Sequence, residues 1–101
     1  MSKYSATLYD CKGISESDRM DAEQAYCAAV DGLLGERAAD AYAAYLSIVN
    51  KYEGTPLPAS ADNAERAAVQ RWEEADNAGH DAAFAGWHSV PDSAHFEITV
   101  A

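Results

Sequence analysis

Tyr4, Ala6 and Leu8 fall on one side of an alternating stretch whose other side holds Lys3, Ser5, Thr7 and Tyr9. A period of two marks a half-buried β-strand, and it predicts one over residues 4–9. The opposite end of the chain repeats the pattern, with Phe96, Ile98 and Val100 on one face and His95, Glu97 and Thr99 on the other. The two terminal strands are expected to pair antiparallel. An isolated two-stranded ribbon is marginal in water, so the segments between them must cover its apolar face.

Those intervening segments read as helices. Ser15 and Asp18 supply helix-starting chemistry, and Met20, Tyr26, Cys27, Val30, Leu33 and Leu34 then fall on one broad arc of a helix over 16–34. Gly32 and Gly35 weaken or end it. A second helix is expected over 36–52, where Tyr42, Tyr45, Leu46, Val49 and Tyr52 recur at three- and four-residue steps before Gly54. Pro56 and Pro58 make 54–60 a loop. Asp62 and Glu65 form an acidic capping box that opens a third helix, with Ala64, Ala68, Trp72 and Ala75 inward and Gly79 at its end. A short fourth helical piece over 81–87 carries Phe84 and Trp87, and Pro91 with Asp92 turn the chain into the last strand. The expected class is α+β, with two terminal strands packed against three to four α-helices in a single domain spanning 1–101.

Composition changes this picture in two ways. The chain has 101 residues, 22 of them alanine and only 13 isoleucine, leucine or valine, so the ten aromatics must supply most of the core's bulk. The formal charge is −10, from 17 acidic and 7 basic residues. A chain so acidic repels nucleic acid and anionic membrane surfaces, and it attracts surfaces built to hold phosphate. The expected partner is therefore a basic, nucleic-acid-binding protein, with no direct nucleic-acid or membrane binding. No signal peptide or apolar span is read, which places the protein in the cytoplasm with Cys11 and Cys27 as thiols.

Candidate chemistry is sparse. His80, His88 and His95 could join the two cysteines around zinc, but no pair has the close spacing that structural zinc sites use. No nucleophile elbow, cysteine-protease pattern or glycine-rich phosphate loop occurs. Neither a catalytic residue, a metal nor a cofactor is expected, and the protein is read as a non-enzyme.

The carboxylates form the informative constellation. On the third helix Asp62, Glu65, Glu73 and Asp76, with Val69 between them, fall on one ridge about 21 Å long at a rise of ~1.5 Å per residue. Glu74 and Asp81 belong to the same helical region, and the first helix adds Asp18, Asp21 and Asp31 opposite its apolar arc. Ordinary exposed helices place a basic residue four positions after an acid, for about 0.2–0.5 kcal/mol per pair. Here Asp62 and Arg66 follow that rule, while Asp18, Asp21, Glu65, Glu73, Glu74, Asp76 and Asp81 meet Ala22, Ala25, Val69, Asn77, Ala78, His80 and Ala85. Arg37 with Asp40 and Arg71 with Glu74 offer weaker contacts at three residues. B-DNA holds roughly 12 phosphates in the length of the ridge, and a protein site engages some 6–10 of them. The nine acids Asp18, Asp21, Asp31, Asp62, Glu65, Glu73, Glu74, Asp76 and Asp81 can reach that number only if both helices face one way.

With its size, its charge, its lack of catalytic motifs and the acidic runs Ser15-Glu-Ser-Asp18 and Trp72-Glu-Glu-Ala-Asp76, the chain resembles the small inhibitors encoded by phages, in particular anti-CRISPR proteins. The resemblance implies stoichiometric inhibition, with an acidic face seated where a type I CRISPR effector would hold target DNA or its PAM. It equally suits DNA mimics aimed at restriction enzymes, glycosylases or nucleoid proteins, and it transfers no residue-level site. Two other readings stand beside it. The acidic face can serve solubility alone. Alternatively, Tyr42, Tyr45 and Tyr52 can form the exposed surface of an adaptor or antitoxin-like module, although core packing is their more common use. A monomer is the expected state.

Overall fold

A computed structural model describes residues 4–100. Strand β1 (Tyr4–Tyr9) leads into α1 (Glu16–Leu34), a 3₁₀ turn (Gly35–Arg37), α2 (Ala38–Lys51), α3 (Asn63–Ala83) and β2 (His95–Val100). The strands pair antiparallel with Tyr4 opposite Val100 and Tyr9 opposite His95, so the class is α+β. Lys3, assigned by alternation to the outer face, lies outside the described residues.

The expected count of three to four separate helices is not matched. Helical backbone runs without a loop from 16 to 51, turning at Gly35, and a second run covers 63–83. Gly35 permits the turn because its φ of +61° is open to a residue without a Cβ. Gly79 does not end α3, and residues 81–83 are its last turn rather than a new helix. The chain then turns, with the Trp87 amide donating to the Phe84 carbonyl at 3.1 Å. Gly79 is buried, and a Cβ there would meet the Tyr26 ring at 2.5 Å, so this glycine serves helix contact rather than termination.

The helix starts follow the sequence chemistry. Ser15 accepts the Asp18 amide at 3.1 Å to cap α1. At α3 the Asp62 carboxylate accepts the Glu65 amide at 2.8 Å while Glu65 accepts the Asp62 amide at 3.1 Å, the full reciprocal box.

The core gathers Tyr4, Ala6 and Leu8 of β1, Ala22, Tyr26 and Val30 of α1, Ala38 and Ala39 of α2, and Trp72, Ala75 and Ala83 of α3. Tyr26 is fully buried and stacks on Phe96 at 4.4 Å, while Tyr42 and Tyr45 lie 4.9 and 6.3 Å from Trp72. The expected arcs need correction at particular positions. Met20 is 49% and Leu33 61% exposed, Leu46 and Ala64 face solvent, and the alanines at 22, 38 and 39 take the inward places. Close helix packing selects the small side chains because a bulkier one would hold the backbones apart. Gly32 lies inside α1 with open space around its Cβ position. Gly32→Ala is expected to raise stability by about 0.5–1 kcal/mol in urea unfolding, because it removes backbone freedom from the unfolded chain at no steric cost.

Candidate acidic interface

The nine acids divide into two groups once their contacts are known. Asp31 accepts the Tyr4 hydroxyl at 2.9 Å, and Asp76 accepts the Tyr26 hydroxyl at 2.6 Å with His80 Nε2 3.6 Å away. Burial, followed by the carboxylate partner in each case, pushes both tyrosine hydroxyls well above their usual range. Asp62 is the α3 cap. Glu65 is tied most tightly: Lys51 Nζ donates to it at 2.8 Å and the Tyr52 hydroxyl at 2.6 Å. Asp31, Asp76 and Glu65 thus knit α1 to β1, α1 to α3 and α2 to α3, while Asp62 secures the start of α3.

Asp18 and Asp21 on α1, with Glu73, Glu74 and Asp81 on α3, form the other group. All are exposed, and among the described residues none of them forms an ion pair. Glu74 accepts only the neutral Gln70 amide at 3.0 Å. The ridge drawn from the sequence is thereby broken. Val69 is 5% exposed, so the line through Asp62, Glu65, Val69, Glu73 and Asp76 runs along the flank of the buried stripe of α3, not down its solvent face. Its partners come from distant residues, Lys51, Tyr52 and Tyr26, which spacing within one helix cannot reveal. Arg66 donates to the Pro58 carbonyl, and among the described residues neither Arg37 nor Arg71 forms an ion pair. The pairs expected from sequence for these arginines therefore do not form.

Lys51, followed by Tyr52 and the Asp62 amide, holds the Glu65 carboxyl down from its ordinary 4.5 to about 2. As pH falls below 4.5 the unfolded chain takes up this proton before the folded one does, so the contribution of Glu65 is complete above that pH and lost on approach to 2. Thermal melts across that acid window should show the melting temperature of Glu65→Gln falling less steeply than that of the unaltered chain. Parallel curves would remove Glu65 from the account.

The remaining sequence candidates are placed as follows. Tyr42 and Tyr45 are half-buried against Trp72, and Tyr52 is bound to Glu65, so this stripe is engaged inside the fold. Cys11 and Cys27 are free thiols, and burial raises that of Cys27. His95 stacks on Tyr9 at 6.0 Å, and its hydrogen bond to the Ser93 carbonyl, then Glu97, raises its proton affinity. No three His, Cys, Asp or Glu side chains converge on a metal-sized site among the described residues. None of the helices described is long and apolar enough to cross a membrane. One feature was not read from sequence. A cleft of about 430 Å³ between the 54–60 loop and α3 is lined by Pro56, Leu57, Arg66, Val69 and Glu73, and it brings an acid of the exposed group beside apolar wall.

Fold and surface together define a small α+β protein with uncompensated acid on two helices. No protein family, curated protein or solved structure matches the chain.

Proposed function

We propose that the chain is a non-enzymatic binding protein whose exposed acids occupy a basic, nucleic-acid-binding surface of a larger partner. It acts in the manner of anti-CRISPR inhibitors that block the DNA or PAM site of a type I effector. The observation that carries the reading is that Asp18, Asp21, Glu73, Glu74 and Asp81 are exposed on α1 and α3 without an ion pair among the described residues. Unpaired like charge on a fixed scaffold opposes folding weakly and favours association with positive surfaces. Glu74 and Asp81 lie two turns apart on the outer face of α3, about 10 Å at ~1.5 Å per residue. The binding set is thereby narrowed from nine carboxylates to five, since Asp31, Asp62, Glu65 and Asp76 are committed within the fold, and five acids stand in for part of the roughly 6–10 phosphates a protein site engages. The tyrosine-surface reading loses its support to the contacts of Tyr42, Tyr45 and Tyr52. The test is competition: the chain should displace duplex DNA from the effector, and displacement should weaken steeply with added salt. A chain that leaves the DNA bound would refute the proposal.

A further inference from the structure

The two outer edges of the sheet are treated differently by the fold. On β1 the Leu8 amide donates to Glu23 Oε2 at 2.8 Å, and the Tyr4 hydroxyl donates to the Cys27 carbonyl at 3.4 Å. Glu23 and Cys27 sit one turn apart on α1, so that helix covers the β1 edge. The Leu8 amide thus points away from β2. Leu8, and by alternation Ala6, therefore stand in the non-hydrogen-bonded pairs of the ladder, opposite Phe96 and Ile98. The antiparallel pattern then turns the amides and carbonyls of Phe96, Ile98 and Val100 outward on the far side of β2. Among the described residues these amides meet no acceptor.

Burial follows the same asymmetry. Tyr4, Ala6 and Leu8 are 7%, 7% and 3% exposed, whereas their partner Val100 is 41% exposed and Ile98 and Phe96 are only half-buried. The devices that blunt an exposed edge are charged side chains, lysine above all, proline, a bulge or an inward charge. β2 has neither lysine nor proline, its register is one-to-one, and its one carboxylate, Glu97, lies with His95 on the outer face.

We infer that the open edge of β2 is a strand-addition site, and that its occupant is β2 of a second copy of this chain, antiparallel and centred on Ile98. The strand is its own complement in that register. From Phe96 to Val100 the order apolar, polar, apolar, polar, apolar reads the same in both directions. Phe96 then meets Val100 of the copy, Ile98 meets Ile98, and all three outward amides on each strand gain acceptors. The two ribbons join into one four-stranded sheet with a continuous apolar face, which relieves the weakness of a two-stranded ribbon. Registers centred nearer the start of the strand fail. Centring on Glu97 sets two carboxylates directly opposite, and centring on Phe96 needs the Ala94 amide, which already donates to Pro91 at 3.0 Å. Charge is accommodated in the chosen register, because Glu97 faces Thr99 of the copy. The edge is small against the ~1,200–2,000 Å² of stable interfaces, so the association depends on concentration.

Sedimentation of the unaltered chain from micromolar to millimolar concentration should show a monomer–dimer equilibrium, with hydrogen exchange slowing at Phe96, Ile98 and Val100 as dimer forms. Thr99 is exposed and directly faces Glu97 of the copy, so Thr99→Lys should tighten the dimer and Thr99→Glu should loosen it. Each change should be about 2- to 30-fold in Kd, from two symmetry-related pairs. Monomer melts of both variants establish that the fold is retained. A monomer throughout the range, equal dimerisation by the two variants, or protection of this edge only on addition of a basic protein would each overturn the inference.

Discussion

Replacing Tyr26 with alanine should lower the unfolding free energy by about 3–5 kcal/mol, a large part of the roughly 5–15 kcal/mol that holds a domain together. The size of the effect follows from position. The ring is fully buried between the sheet and α3, stacked on Phe96 at 4.4 Å and met edge-on by His80 at 5.8 Å. In an alanine-rich interior few neighbours are large enough to fill the space it leaves, so the cavity cost adds to the lost burial. Tyr26→Phe separates the hydroxyl from the ring. It should cost only about 0.5–1.5 kcal/mol, because the Asp76 side chain is 36% exposed and regains water once the phenol is gone. Gly79→Ala approaches the same contact from the other side, driving a methyl into the ring, and should cost about 1–3 kcal/mol. Urea unfolding of the three variants checks the order. A Tyr26→Ala loss no greater than that of Tyr26→Phe would show that the ring is not the centre of the core.

The second large effect concerns binding and separates the two groups of acids. Reversing Glu73 and Asp81 together to lysine should weaken the complex with a basic partner about 30-fold or more, taking ~2 kcal/mol as the low end for lost contacts of this kind. The melting temperature should hold or rise, since both side chains are exposed and the chain carries a net −10. Reversing Glu65 should do the opposite. It sets a lysine against Lys51, removes the acceptor of the Tyr52 hydroxyl and breaks the α3 cap, so stability should fall before affinity does. Surface reversals that left affinity unchanged would identify the acids as solvated charge.

What the sequence discloses depends on whether a signal is local. Alternation in Tyr4–Tyr9 and His95–Val100, the Ser15 cap and the Asp62–Glu65 box all involve residues within a few positions, and each forms as expected. Alanine obscures the helical faces because it fits either side, so the pattern points Met20 and Leu33 inward while Ala22 holds the buried place. Gly79 carries the local mark of a helix end, yet its cause is a ring 53 positions earlier in the chain, Tyr26. The acidic ridge fails for the same reason. Counting four residues along α3 finds no cation for Glu65 and no hydroxyl for Asp76, because Lys51 belongs to α2 and Tyr26 to α1. The asymmetry of the sheet edges is hidden as well, since it depends on Glu23 and Cys27 lying over one strand and nothing described lying over the other.

Free carboxylates that replace phosphate at a basic site must exclude duplex DNA from it, so the decisive experiment is a competition. A type I effector loaded with labelled target duplex should be titrated with this chain at low and at high salt, with the Glu73→Lys, Asp81→Lys variant in parallel. Displacement of the duplex is expected at low salt, with a marked loss of potency at high salt and a variant about 30-fold or more weaker than the unaltered chain at low salt. Displacement that is insensitive to salt and equal for the variant, or a chain that never competes with the duplex, would contradict it.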